Sequence, residues 1–130
     1  MGINNFNNFF SNLSLSLFSR FFEYLLRDMT KDMGLECQRA WGSNGQSLGW
    51  HEEVDLLIDK VIKVQAKCRK KIAQWMMPSE EVDIQVIKED RGIPYVVEPF
   101  DSWLERYIKV KELNNANVNG TSSTRNRKKR

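Results

Sequence analysis

The sequence predicts an α+β chain: a mainly helical domain over residues 1–112 with a two-stranded β-hairpin, then a disordered basic C-terminal tail over 113–130. Three patterns predict it. Apolar residues recur at helical spacing near the start and again in the middle, a short alternating stretch broken by a turn follows, and the end is polar and basic. With 130 residues, 41% of them apolar, the chain has material for one core. Four tryptophans, three tyrosines and seven phenylalanines supply large buried surfaces and argue for a folded protein over a disordered one.

Residues 1–27 place Phe6, Phe10, Leu13, Leu17, Phe21 and Leu25 at steps of three or four, on one face of an amphipathic helix. Asparagines and serines fill the opposite face with weak helix propensity, so tertiary contacts must stabilise it. The face packs into the core or, as a second reading, Phe6, Phe10, Leu13, Leu17 and Phe21 form a partner or oligomer surface. The same segment has the serine-rich, acid-poor composition of an organelle transit peptide, though with little arginine. Serines interrupt the apolar run before Phe18, and Phe6 stands where an N-myristoylation motif needs Ser or Thr, so neither a secretory signal nor that lipid is expected.

Residues 28–41 read as a second, shorter helix carrying Met29, Met33, Leu35 and Trp41. Gly42, Gly45 and Gly49 then mark a connecting loop. Its GxxG spacing lacks the apolar and basic flanks of an RNA-binding KH loop, and no Gly-Lys-Ser/Thr completes a phosphate loop. Residues 51–77 read as the main helix, with Val54, Leu57, Val61, Val64, Cys68 and Trp75 at heptad-like places, acids at its start and bases at its end. Pro78 stops it.

Over 82–98 the pattern turns to β. Val82, Ile84 and Val86 alternate with Asp83 and Gln85, Asp90-Arg91-Gly92 marks a turn, and Tyr95-Val96-Val97 forms the second strand of a hairpin, with Pro94 placing it at an edge. A last helix over 101–112 starts at a Ser102–Glu105 capping box and buries Trp103, Leu104, Tyr107 and Ile108.

The net charge of +3 conceals its distribution. Residues 60–71 hold six bases and no acid, and residues 113–130 hold five and none. Lys60, Lys63, Lys67 and Lys70 form a basic helical stripe, with Arg69 and Lys71 beside it; Arg125, Arg127, Lys128, Lys129 and Arg130 close the tail. Such clusters neutralise phosphates without reading sequence. Cys37, Cys68 and the lone His51 match no metal-ligand spacing, and carboxylates such as Glu80, Glu81, Asp83 and Glu98 are explained by surface positions, so no metal, cofactor or catalytic residue is expected.

The function these features predict is nonenzymatic nucleic-acid binding through the basic stripe and tail. The alternative is a protein-interaction or assembly module, a homo-oligomer or partner complex formed through residues 6–25. No stretch is long and apolar enough to span a bilayer. An intracellular location, nuclear or cytoplasmic, is expected, with organelle import left open.

Overall fold

In a computed structural model, residues 15–40 and 45–124 are described. They form two α-helices, a three-stranded antiparallel sheet and a two-stranded hairpin, an α+β composition as expected. The order is α1 (Leu15–Asp32), β1 (Cys37–Arg39), a 3-10 turn (Gly45–Leu48), β2 (Leu56–Ile58), β3 (Ile62–Val64), a second 3-10 turn (Gln74–Met76), β4 (Gln85–Ile87), β5 (Tyr95–Val97) and α2 (Phe100–Thr124). The chain divides into two compact units, Met1–Lys71 and Ile72–Arg130, where its length suggested one domain.

In the first unit α1 continues beyond the residue 27 expected for it and stops at a Schellman motif. Gly34 takes the left-handed conformation at φ 85°, its N–H donates to Lys31 O at 2.9 Å, and Leu35 N–H donates to Thr30 O at 3.2 Å. Leu35 is buried just past this cap, completing the stop. The second helix expected over 28–41 is therefore absent; β1 occupies its end.

The main helix expected over 51–77 is also absent. Its place is taken by β2 and β3, with β2 central in the order β1-β2-β3. Leu56 pairs with Arg39 on one side and Val64 on the other; Ile58 pairs with Cys37 and Ile62. Two local facts override the heptad spacing. Val54, Ile58, Val61, Ile62 and Val64 are β-branched and fit a pleated surface better than a helix. Asp59 and Lys60 both adopt positive φ, 52° and 62°, and Val61 N–H donates to Ile58 O at 3.1 Å, the form of turn that matches strand twist.

α1 packs on β1 and β2. Leu26, Leu35, Cys37, Ala40, Val54 and Leu56–Ile58 make the core, each large aliphatic side chain worth about 1.5–3 kcal/mol when removed from water. The inward stripe of α1 is Glu23, Leu26 and Thr30, whereas Phe21 and Leu25, from the stripe the sequence marks as apolar, are exposed. Gly45 lies against the chain: a Cβ there would fall 2.0 Å from His51 O.

In the second unit the expected hairpin is present as β4 and β5, with Val86 opposite Val96. The last helix starts at Phe100, so Ser102 is inside it and no capping box forms; Asp101 Oδ1 instead accepts Ser102 N–H at 2.8 Å. Leu104 is buried, with Trp103 stacked on Phe100 and Tyr107 at 5.9 and 5.4 Å. The helix runs on to Thr124 through residues expected to be tail; no proline interrupts it, and Gly120 alone costs about 1 kcal/mol. No helix among the described residues is long and apolar enough to cross a membrane.

Candidate functional site

The predicted basic residues do not form a helical stripe. Lys60 sits in the β2–β3 turn with Nζ 3.4 Å from Glu36 Oε2; Lys63 is on β3; Lys67, Arg69, Lys70 and Lys71 lie in the irregular stretch that follows. All six are exposed. Exposure alternates from Val61 to Cys68: Ile62, Val64, Ala66 and Cys68 are partly covered, while Lys63, Gln65 and Lys67 are open to solvent. The period is that of a strand, so it groups Lys63, Gln65 and Lys67 on one side and drops Lys60 and Lys70 from the expected row. Arg125, Arg127, Lys128, Lys129 and Arg130 lie outside the described residues, as do Phe6, Phe10 and Leu13, and the side chain of Leu17.

Two carboxylates that the sequence reading passed over are buried beside this segment. Glu23 is 1% exposed on the inner face of α1, and Asp55 is 8% exposed one residue before β2. Asp55 stands where β3 leaves the ladder: its N–H donates to Val64 O at 2.9 Å and its Oδ2 accepts Ala66 N–H at 2.7 Å. The side chain thus bonds a backbone donor of the very stretch that carries Gln65 and Lys67. Burial raises the Asp55 pKa above the usual carboxylate range, opposed by the Ala66 N–H; the negative charge of Glu23 raises it further, and Lys67 lowers it. Asp55 therefore feels the charges of both Glu23 and Lys67, and α1, which carries Glu23, packs on β2, the strand that Asp55 precedes.

Glu23 has a counter-charge. Arg39, from β1, donates through Nη1 to Glu23 Oε2 at 2.9 Å and through Nη2 to Tyr24 Oη at 3.3 Å. The Arg39 guanidinium carbon lies 4.7 Å from the Tyr24 ring centroid, and that of Arg27 lies 4.7 Å from the same centroid.

The donor chemistry decides what such a site suits. Among the described residues no group of three or more His, Cys, Asp or Glu side chains converges to hold a metal ion, which leaves no zinc-type ligand set. Mg²⁺, which keeps several waters, is commonly held by one or two carboxylates. His51 is exposed, its Nδ1 accepting Glu53 N–H at 3.2 Å, and Cys37 and Cys68 are free thiols, so these three do not form the cluster weighed from sequence. Burial pushes the Cys37 thiol pKa up, against a lowering hydrogen bond with Thr30 and the charges of Lys31 and Arg27.

Asp55 was detectable in principle: an acid between Val54 and the run Leu56-Leu57-Ile58 is out of place in a buried strand unless it has a task. Glu23 was not, because the helical stripe drawn through Phe21 and Leu25 puts it on the wrong side. No family model, curated protein or solved structure matches the chain.

Proposed function

We propose that residues 15–71 form a divalent-cation-dependent phosphodiester-cleaving site that acts on nucleic acid. The observation that carries this reading is that Glu23 and Asp55 are buried in this unit and that Asp55 bonds the backbone of Ala66, inside a twelve-residue segment with six bases and no acid. Arg39 offsets the burial of Glu23 and the Ala66 N–H that of Asp55 in part, and a divalent cation between the two carboxylates would offset the remainder. A buried carboxylate with a raised pKa, as Asp55 is, is a feature that concentrates at functional sites.

In this reading Glu23 and Asp55 would hold the cation, and Gln65, on the same side of the strand as Lys67, would offer a neutral oxygen donor. When bound, the cation would supply Lewis acidity for activating water and polarising the phosphoryl group. Lys67 places its ammonium against the phosphate, where charge grows as water adds to phosphorus and the ester P–O bond breaks. The attacking water gives up a proton to solvent and the leaving alkoxide takes one from it, so the products are an alcohol and a phosphomonoester. Lys63, Arg69, Lys70 and Lys71 retain the phosphate-binding role expected of the basic segment, and they carry the backbone toward the site.

The test incubates the chain with end-labelled single-stranded, duplex and branched DNA in Mg²⁺ or in EDTA. Mg²⁺-dependent cleavage is expected, falling at least about 100-fold in Asp55→Asn and in Lys67→Ala. A second reading, nucleic-acid association without chemistry, is favoured by the solvent exposure of all six bases. Binding with no cleavage in Mg²⁺, unchanged by Asp55→Asn, supports that reading and contradicts the first.

A further inference from the structure

We propose that Tyr24 is a positioning residue of this site: it fixes the Arg39 guanidinium, and through it the Glu23 carboxylate, at the place where the cation is held. The inference rests on the cation-holding role of Glu23. It adds an aromatic residue to which the sequence assigns only a place on a helix.

The geometry makes the case. Arg39 supplies a counter-charge to the buried Glu23 through Nη1 at 2.9 Å. Arg39 is also held by Tyr24 in two further ways, by a hydrogen bond at 3.3 Å to the hydroxyl and by the ring itself at 4.7 Å. Tyr24 follows Glu23 directly on α1, while Arg39 comes from β1, so the three side chains clamp the helix and strand to each other at the cation site. A guanidinium is a planar fork whose position is set by the number of points that hold it, and three points leave it no rotation about its terminal bonds. Arg27, three residues after Tyr24, places a second guanidinium at 4.7 Å from the same ring and is itself tethered to Asp28 at 3.0 Å, which limits the ring's own freedom. The arrangement is more constrained than charge balance demands.

Constraint matters here because a carboxylate that shares a cation with Asp55 must keep its oxygens in place. A displacement of about 1 Å in a positioning group costs on the order of 100-fold in rate. A role confined to stability would lower the melting temperature of a Tyr24 variant and leave the turnover of its folded fraction alone; a positioning role lowers kcat while KM for the nucleic acid, set by the basic segment, stays put.

The experiment compares the full chain with Tyr24→Phe and Tyr24→Leu. Phenylalanine keeps the ring and loses the hydroxyl bond; leucine loses both. Steady-state cleavage of the labelled DNA in Mg²⁺ is expected to show kcat reduced about tenfold to 100-fold in Y24L, less in Y24F, with KM within about twofold of the parent. Nitrogen-resolved NMR of the arginine side chains, recorded without metal or DNA, is expected to show separate Arg39 Nη proton signals in the parent that merge in Y24L. Unchanged kcat in folded Y24L overturns the proposal, as does an Arg39 signal that is averaged in the parent or still resolved in Y24L. If Y24L does not fold, Y24F carries the comparison. Should the parent cleave none of the probes in Mg²⁺, the phosphodiesterase reading falls and takes the catalytic half of this inference with it. The NMR result then decides separately whether Tyr24 holds Arg39.

Discussion

At the scale of single residues, the two buried carboxylates have opposite consequences for stability. Asp55 has its pKa raised chiefly by burial, so in acid, where neither state is ionised, it is neutral in the folded and unfolded chain alike. As pH rises through the ordinary carboxylate range the unfolded chain ionises first, the folded state then holds more protons, and stability falls until Asp55 ionises in the fold as well. Asp55→Asn removes that loss while an amide oxygen can still accept the Ala66 N–H. Thermal melts at pH 7 should therefore place D55N above the parent, with a flatter dependence on pH above about 4; a lower melting temperature for D55N would contradict this. Glu23→Gln leaves Arg39 without its counter-charge, and chemical denaturation should show a loss of about 1–3 kcal/mol. A side chain whose replacement stabilises the fold is one retained for another purpose.

At the scale of elements, the β2–β3 hairpin carries the site and is where sequence and structure part most clearly. Val54, Leu57, Val61 and Val64 fit a heptad by spacing, and the acids before and bases after them suit a helix dipole, so periodicity alone points to a helix. The β-branched content and the Asp59-Lys60 turn decide otherwise. The consequence reaches the site: in a strand Lys63, Gln65 and Lys67 share a side, whereas on a helix Lys60, Lys63, Lys67 and Lys70 would. Two features were legible, the β4–β5 hairpin from its alternation and the inward side of α2 at Leu104, because each depends on short-range pattern. The inward face of α1 was not, since it buries Glu23 and Thr30 and exposes Phe21 and Leu25, against the apolar rule; the role proposed for Glu23 would explain half of that exchange. The hairpin makes its own prediction. Lys60 holds φ 62°, strained for any residue with a Cβ, and its ion pair with Glu36 is exposed at both ends. Lys60→Gly should raise stability by about 0.5–1 kcal/mol in urea titrations, the lost surface pair being worth little. Leu56→Ala, in the central strand, should lower it by about 2–5 kcal/mol.

At the scale of the molecule, charge is the organising feature. A net charge of +3 hides a basic segment that ends the first unit, next to two acids buried within that unit. Phosphate binding by this segment predicts that fluorescence-anisotropy affinities for DNA fall with salt by about 0.9 in log–log slope for each phosphate neutralised. Replacing Lys63, Lys70 and Lys71 together with alanine should reduce that slope by about 2–3 for single strands and duplex alike; an unchanged slope would place the contacts elsewhere. The exposed Phe21 and Leu25 keep the partner-surface reading of α1 as a separate proposal, which does not depend on the acids.

The reading stands or falls on whether Glu23 and Asp55 share one cation, and Mn²⁺ titrations followed by electron paramagnetic resonance measure that without any substrate. The expected result is one site in the parent chain, lost in both Asp55→Asn and Glu23→Gln and retained in Lys67→Ala. Equal binding by the parent and D55N, or no binding by the parent, would contradict it.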